Sequence, residues 1–390
     1  MTNIKQTLKK STMLIALVVV TLLFQILIAA AGKGSMFAPS NVTNLVSQNS
    51  YVVILAAGML LCILTGGNID LSVGSIVALV GAIAGTLIVN MKVNVWLAIL
   101  ICLLVGIAIG AWQGFWIAYV RIPAFIVTLA GMMLWRGLAL ITLNGLTISP
   151  FPQSYLRYFT SFLPASGGAN AVFATTLAVG AVVCAAFAVF EITGRTQKRR
   201  KGYEVEGNGM FAGRIVLICA VVLAFAFLLG KNKGIPVVLI LLAVIVSVYS
   251  YYTQNTTAGR HLYAMGGNEK AAKLSGIDTN RTLFFAYTNM AFLSAVTALV
   301  CVARFNSAAP AAGTNYELDA IGACFIGGAS AYGGTGTVGG AVIGAIFMGV
   351  LNNGMSILGI DANWQKAVKG IVLLAAVIFD VLSKKRESKS

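Results

Sequence analysis

The sequence predicts an all-α polytopic membrane protein with about 10–12 transmembrane helices. Three observations support this prediction. First, 58% of the 390 residues are hydrophobic and only 10% are charged, a composition too apolar for the surface of a soluble domain. Second, apolar runs of about 20 residues, the length that crosses a bilayer, recur along the chain. Third, lysine and arginine concentrate in alternate loops between these runs, as they do in the cytoplasmic loops of membrane proteins.

Twelve apolar segments are candidates for spans. They cover residues 11–31, 49–66, 74–89, 95–120, 124–143, 171–192, 215–230, 235–252, 282–303, 319–331, 338–358 and 364–382. Lys5, Lys9 and Lys10 precede the first segment, which raises the alternative of a cleaved signal peptide, but its long apolar core favours a retained span. The cation pattern predicts that both termini are cytoplasmic in a plasma (inner) membrane. It also accounts for the net charge of +16 without a nucleic-acid partner.

The segment at 319–331 is short and weakly apolar. It must cross or nearly cross the membrane, because otherwise the basic C-terminal tail would emerge on the opposite side. Its glycines are typical of a broken or re-entrant helix, which we expect near 319–336. Ile-Asp-Leu at 69–71 is echoed by Leu-Asp-Ala at 318–320, and a glycine follows each after a short interval. Because the two stretches lie on opposite predicted faces, they are consistent with an inverted repeat.

A polar island at residues 257–278 interrupts the apolar pattern and contains the single histidine of the chain. Asn268 is a good N-cap, Glu269 places negative charge at the positive end of a helix, and Gly276 suits a left-handed helix stop. These residues predict a helix of about two turns from 268 to 275. A helix of this length is marginal in water. It is therefore either a docking element for a partner or an ordinary capped loop helix.

No residue pattern indicates catalysis or a metal site, so we expect this chain not to be an enzyme. The six cysteines stand singly in apolar surroundings, where they are typical of small packing residues. The glycine-rich stretch 327–340 lacks the lysine and hydroxyl pair of a phosphate-binding loop. Asp70 has two interpretations. At membrane depth its side chain would face a cavity or a partner, whereas at the cytoplasmic surface it would cap the helix that begins near Ser72.

Several motifs resemble those of one family, the membrane subunits of ribose/xylose/galactose-type ABC sugar importers. The most specific is GRHLYAMGGNEKAAKLSGI at 259–277, which is similar to the cytoplasmic loop of these subunits. The other motifs that fit are IDLSVGS at 69–75, PAFIVTLAGM at 123–132, YELDAI at 316–321, LNNGM at 351–355 and WQKAVKG at 364–370. The chain most resembles the xylose and multiple-monosaccharide permeases, because it carries an extra pair of spans at 171–192 and 215–230.

The resemblance implies a single transmembrane permease domain over 1–390 that translocates xylose, galactose or a related monosaccharide. It implies three protein partners: an ABC ATPase that binds the ATP, an extracytoplasmic sugar-binding protein, and a second copy of the permease as a homodimer. No cofactor is expected on this chain. The ATPase is expected to dock on a cytoplasmic coupling loop at 253–281, through Gly259, Arg260, Ala264, Gly267, Asn268, Glu269, Ala271, Ala272, Ser275 and Gly276.

A path for an uncharged sugar should offer modest polar groups and aromatic faces. The candidates in or beside the apolar spans are Asn144, Trp112, Trp116, Asn289, Asn352, Asn353, Asp70 and Asp319. The alternative for each asparagine is an interhelical hydrogen bond, and for each tryptophan an anchor at the membrane interface.

Two other functions are alternatives. An ion-gradient-driven secondary transporter of a small polar solute is one, because Asp70, Glu317 and Asp319 are titratable. A membrane receptor or scaffold without transport activity is the other.

Overall fold

A computed structural model of the protein describes residues 12–164, 168–203, 205 and 207–387. The predicted basic start at Lys5, Lys9 and Lys10 lies outside the described residues. Within them the helices are α1 (Thr12–Ala30), α2 (Pro39–Leu64), α3 (Val73–Gly85, continued by the π-helical segment Thr86–Asn90), α4 (Val95–Ala118), α5 (Ala124–Leu143), α6 (Gln153–Thr160), α7 (Ala169–Arg200), α8 (Asn208–Gly230), α9 (Val237–Asn255), α10 (Thr257–Gly267), α11 (Glu269–Leu274), α12 (Thr279–Phe305), α13 (Tyr316–Ile326), α14 (Val338–Ile357) and α15 (Ala362–Glu387). Two short strands, β1 (Phe162–Leu163) and β2 (Ile235–Pro236), pair antiparallel.

The predicted all-α polytopic class is confirmed. By length and composition, ten helices in the described chain can cross a membrane, namely α1, α2, α3 with its π-helical extension, α4, α5, α7, α8, α9, α12 and α14. The 26-residue helix α15 follows them at the C-terminus. Helices α2 and α12 are largely buried inside the bundle, whereas α1, α7 and α8 expose most of their apolar surface. The exposed helices therefore present this surface to lipid or to a partner within the membrane.

Three stretches that were expected to be loops contain helix. Helix α7 continues to Arg200, beyond the end of the predicted span 171–192. Arginine, glutamine and lysine are good helix formers, and cations are favourable at a helix C-terminus, so the basic residues extend this helix. Helix α6 lies in the stretch 144–170. Helix α10 begins where the Thr256 hydroxyl accepts a hydrogen bond from the amide of Gly259 at 3.0 Å.

The two central helices, α2 and α12, run antiparallel. Near the end of α2 the thiol of Cys62 faces the carbonyl of Ala286, near the start of α12, at 3.7 Å. One turn earlier in α2, Gly58 packs against Met290 and Leu293, further along α12. This pair forms the axis on which the other helices are arranged.

Each central helix carries a short helix that runs parallel to it and comes from the other half of the chain. Helix α13 follows α2, because Tyr51 donates a hydrogen bond to Asp319 and the thiol of Cys324 lies 3.3 Å from the carbonyl of Ala56. Helix α3 follows α12, since Tyr287 donates a hydrogen bond to the carbonyl of Ile69, just before α3, at 3.4 Å, and further along both helices Gly81 packs on Val302. The two short helices are therefore antiparallel to each other.

The packing of the long helices repeats the same exchange. Helix α4 packs on α12 and α14 packs on α2, while α5 packs on α3 and α15 packs on α13. The units α2–α5 and α12–α15 thus correspond element by element in opposite orientations. This arrangement agrees with the predicted inverted repeat.

Helix α13 has only 11 residues and is about 16 Å long, roughly half the thickness of the hydrocarbon core. Turns follow it up to Thr337, and the amide of Gly334 donates a hydrogen bond to the carbonyl of Leu64 at 3.1 Å. The broken helix expected near 319–336 is therefore present. By the same correspondence, its counterpart in the first half is α3 with the short non-helical connection 91–94 before α4. We call the side of the bundle that carries α10 and α11 the α10 end, and the opposite side the α6 end.

Candidate functional site

The two short helices meet at their N-termini inside the bundle. A Cβ atom on Gly74, in the first turn of α3, would lie 2.0 Å from the carbonyl oxygen of Gly313, just before α13. A Cβ atom on Gly313 would lie 2.1 Å from the carbonyl oxygen of Gly74. Neither position has room for a side chain. Because the positive ends of two helix dipoles converge here, the junction favours negative charge.

Asp70 lies beside this junction and is fully buried. Its Oδ1 accepts hydrogen bonds from the amide of Ser72 at 2.8 Å and from the Ser72 hydroxyl at 2.6 Å, and Gln113 donates to the same hydroxyl at 2.8 Å. The backbone amide of Asp70 faces the sulfur of Met59, more than one turn before the end of α2. Asp70 is thus buried inside the bundle, where it organises the start of α3, and it does not line the polar cavity described below.

Asp319 occupies the first turn of α13 and is 1% exposed. It accepts a hydrogen bond from the Tyr51 hydroxyl, and the ammonium group of Lys369 lies 2.9 Å from its Oδ1 and 3.1 Å from its Oδ2. The pair connects α15 to α13 in the interior. Its carboxylate also complements the N-terminal dipole of α13.

A polar cavity of about 230 Å³ lies next to this ion pair, in the half of the bundle nearer the α6 end. Five helices contribute to it, α2, α12, α13, α14 and α15. The lining residues are Leu45, Gln48, Asn49, Tyr51, Arg304, Phe305, Tyr316, Gly349, Asn352, Gln365 and Lys369. The cavity therefore combines side chains from both halves of the inverted repeat.

The cavity has an aromatic wall and two acceptor atoms without a donor. The rings of Tyr51 and Tyr316 stack with their centroids 3.9 Å apart. Asn49 donates to the carbonyl of Ala345 at 2.7 Å, but its Oδ1 has no hydrogen-bond partner among the described residues. The buried Oδ1 of Asn352 likewise lacks a partner in the described chain. Groups of this kind can hold a ligand that carries hydroxyl donors.

The asparagines that were candidates for a sugar path have different environments. Asn352 lines the cavity. Asn353 exchanges two hydrogen bonds with Asn41, at 2.9 and 3.0 Å, and so ties α14 to α2. Asn289 accepts a hydrogen bond from Tyr249, between α12 and α9. Asn144 is exposed and ends α5 in a left-handed conformation with φ at 48°. Interhelical hydrogen bonds thus account for Asn353 and Asn289, and helix capping for Asn144.

Trp112 and Trp116 belong to an aromatic cluster on α4 and α5. Trp112 packs edge-on against Trp116, with ring centroids 6.2 Å apart, and against Trp135, with centroids 5.4 Å apart. Trp112 is 41% exposed on the side of the bundle. Neither Trp112 nor Trp116 is among the residues that line the polar cavity.

Sequence reasoning missed most of the cavity. Gln48 and Asn49 stand at the edge of the predicted span 49–66, and Gln365 and Lys369 interrupt the predicted span 364–382. Polar side chains inside apolar segments were therefore a usable signal. The pairing of these residues across two halves of the chain depends on the inverted packing, which their local sequence does not contain.

Helices α10 and α11 project from the α10 end. The predicted N-cap is confirmed, because the side-chain oxygen of Asn268 accepts a hydrogen bond from the amide of Ala271 at 3.0 Å. Gly276 follows α11 in the left-handed conformation that was expected, with φ at +85°. Ala271 and Leu274 are exposed, and Leu274 reaches 90% exposure. Ala272, in contrast, is buried against its own chain, which removes it from the surface available to a partner.

Contacts within the chain hold the two helices in place. The guanidinium of Arg121 forms an ion pair with Glu269 at 2.5 Å and donates a hydrogen bond to the hydroxyl of Thr279 at 2.9 Å. On α10, the hydroxyl of Tyr263 donates to the carbonyl of Gly336 at 2.9 Å. Gly259 packs so closely on α9 that a Cβ atom would lie 2.2 Å from the carbonyl oxygen of Tyr252. The exposed face of α11 is therefore presented on a fixed base.

Comparison with known proteins gives close relatives over nearly the whole chain. The xylose transport system permease protein XylH of Escherichia coli is 37% identical over 353 residues, which cover 90% of this chain and 88% of the relative. Its namesake from Haemophilus influenzae is 36% identical over 374 residues, 96% of each chain. The ribose import permease protein RbsC of Escherichia coli is 34% identical over 361 residues, 93% of this chain and 92% of the relative.

No solved structure matches the chain. A family model described as "Branched-chain amino acid transport system / permease component" matches residues 41–377. That range begins in α2 and ends in α15, so it includes both halves of the inverted repeat and the helices between them. The chain therefore belongs to this family of transport-system permease components.

Proposed function

We propose that this chain is the translocation subunit of an ATP-driven importer of a monosaccharide. The observation that carries the proposal is the similarity to xylose and ribose permeases over at least 90% of the chain. In such an importer the ATP is bound and hydrolysed by a separate ATPase subunit, and an extracytoplasmic binding protein delivers the sugar. A second copy of the permease completes the pathway in the plasma (inner) membrane.

The exposed face of α11, formed by Ala271, Leu274 and Ser275, is the proposed docking surface for the ATPase. Leu274 is 90% exposed, so its apolar side chain would be removed from water when a partner covers this face. The ion pair between Glu269 and Arg121 anchors this face to the loop before α5, so movement of the docked partner can reach the membrane helices. Of the other residues of the predicted coupling loop, Arg260, Ala264 and Gly267 are also exposed, whereas Gly259 packs on α9.

Substitution of Leu274 tests the docking surface. We expect Leu274→Asp to reduce ATP-dependent sugar import by at least roughly ten-fold, because a carboxylate in an apolar contact loses its hydration. Leu274→Met keeps an apolar side chain and should import at the normal rate. The measurement is uptake of labelled xylose into proteoliposomes that contain the permease, its ATPase and its binding protein. Normal import by Leu274→Asp, at equal amounts of inserted protein, would show that α11 is not the docking element.

The same assay separates the proposal from a secondary transporter. Import should require ATP inside the ATPase-facing compartment and should persist when an uncoupler collapses the ion gradients. Loss of import with the uncoupler, while ATP is maintained, would replace the proposal by ion-gradient-driven transport.

Orientation is a further part of the proposal, in which the α10 end is cytoplasmic. Cysteines introduced singly at Gly202 and Ser275, in a background without the native six, should be protected from an impermeant thiol reagent in intact cells. A cysteine at Gly168 should react, because it precedes α7 at the opposite end. Labelling at Gly202 from outside would reverse the topology. Permeabilised cells provide the control, since all three positions should then react.

The description of the matched family favours a second candidate substrate, a branched-chain amino acid. An amino acid is zwitterionic and needs partners for its carboxylate and its ammonium group. Arg304 lines the cavity and could face a carboxylate, but no lining residue is a carboxylate that could face the ammonium group, and Asp319 is already paired with Lys369. The named relatives and this pairing together favour the sugar.

A further inference from the structure

The polar cavity offers hydrogen-bond acceptors that the chain itself leaves without donors. Asn49 is 7% exposed, and its Oδ1, like that of Asn352, has no partner in the described part of the chain. Gln48 also lines the cavity. Buried acceptors without a donor are costly unless a ligand or water satisfies them. A ligand with several hydroxyl groups supplies such donors at short spacing.

Charge and shape restrict the class of ligand. The ammonium of Lys369 is paired with Asp319, which neutralises the charge beside Tyr51. The guanidinium of Arg304, the other cation of the lining, lies over the ring of Phe305 and can donate hydrogen bonds to hydroxyl oxygens. The stacked rings of Tyr51 and Tyr316 form an apolar wall beside the amide groups. A ligand in which hydroxyl groups alternate with apolar C–H faces matches this combination of amide groups and aromatic wall. The adjoining cavity of about 410 Å³ shares Asn49 but is otherwise lined by apolar side chains, which suits no polar ligand.

The volume of the cavity restricts the class of ligand further. Pockets for drug-sized ligands have volumes of about 300–1,000 Å³, whereas this cavity has about 230 Å³. A volume below this range suits a ligand smaller than a drug-sized molecule, such as a single sugar ring.

We infer that this cavity is a binding site for a single monosaccharide, so that the permease itself selects the sugar after its delivery. The inference rests on the proposed function and adds a site within the membrane subunit. Asn352 and Gln48 are the specificity residues, since each presents an amide to the ligand from a different half of the inverted repeat.

The test uses the permease–ATPase complex in lipid nanodiscs, without the binding protein, and labelled D-xylose in equilibrium dialysis. We expect saturable binding that unlabelled D-ribose reduces and that sucrose and leucine leave unchanged. Asn352→Leu and Gln48→Leu should each weaken binding roughly ten-fold, because each replaces a hydrogen-bonding amide by an apolar group of similar size. Gln153→Leu, on the exposed helix α6, is the matched control and should bind normally.

The following binding results would overturn the inference. Absence of saturable binding to the wild-type complex removes the site, and wild-type affinity in both variants places it elsewhere. Competition by leucine but not by ribose would show that the site binds an amino acid and not a monosaccharide. Retained thermal stability of the variants separates lost binding from misfolding. ATP-dependent import by the complete system in proteoliposomes is measured in parallel, so that import without binding rejects this site and leaves the proposed function standing.

Discussion

Lys369→Met should destabilise the protein by about 3–5 kcal/mol, the cost of leaving a buried charge without its partner. Asp319 is 1% exposed, and its ion pair with Lys369 has an N–O distance of 2.9 Å. Removal of the ammonium leaves the carboxylate inside the bundle with the Tyr51 hydroxyl as its remaining partner. The thermal unfolding midpoint of the purified permease in detergent, compared with wild type, measures the loss.

The double variant Lys369→Met with Asp319→Asn should recover most of this stability. Without the carboxylate, no uncompensated charge remains, and the asparagine oxygen can still accept the hydrogen bond from Tyr51. Glu269→Gln provides the control, because it breaks the exposed ion pair with Arg121 and should cost no more than about 1 kcal/mol. Additive losses in the double variant would mean that Lys369 and Asp319 stabilise the bundle independently of each other.

Gly74→Ala should destabilise the protein by about 3 kcal/mol or more, although it adds a single methyl group. The new Cβ atom would lie 2.0 Å from the carbonyl oxygen of Gly313 and 2.6 Å from the Glu317 carboxylate. The first neighbour is backbone, so a side-chain rotation cannot relieve the contact. The short helices α3 and α13 must separate, and both halves of the inverted repeat move with them.

Gly137→Ala is the matched control for this prediction. Gly137 lies in α5, another membrane helix, and a Cβ atom there meets nothing within 4 Å. Alanine is also the better helix former, so this variant should be as stable as wild type or more stable. Thermal unfolding and gel filtration of both variants, compared with wild type, measure the difference in stability. Equal stability of Gly74→Ala and Gly137→Ala would show that the two N-termini are not in contact.

The sequence predicts most of the membrane helices because their signal is local. A run of about 20 apolar residues is long enough to span the bilayer whatever it packs against. Helix α11 was equally predictable, since Asn268 caps it and Gly276 ends it within a few residues of sequence. Helix α10 was missed because its stability comes from close packing of Gly259 on α9 and from the bond between Tyr263 and Gly336.

The cavity was only partly predictable, for a geometric reason. Asn352 was named among the polar residues of the spans. Asn49, which lines the same cavity, is separated from both Asn352 and Lys369 by most of the chain. Their meeting depends on the parallel packing of α13 along α2. Asp70 and Asp319 were noted as an echo in sequence, yet one supports a helix start and the other holds an ion pair. Equivalent positions in an inverted repeat thus have different chemical roles.

The exchange of short helices between the two halves also determines the order of folding during synthesis. Helix α3 packs on α12, and α13 packs on α2, so neither half can bury its polar interior alone. While the ribosome is still making α7 to α11, Asp70 and Gln113 have been inserted without their final enclosure. The first half must therefore remain incompletely packed in the bilayer until the second half emerges. Maturation of this permease is consequently a late, whole-chain event, and truncation after α11 should leave a target for membrane proteases.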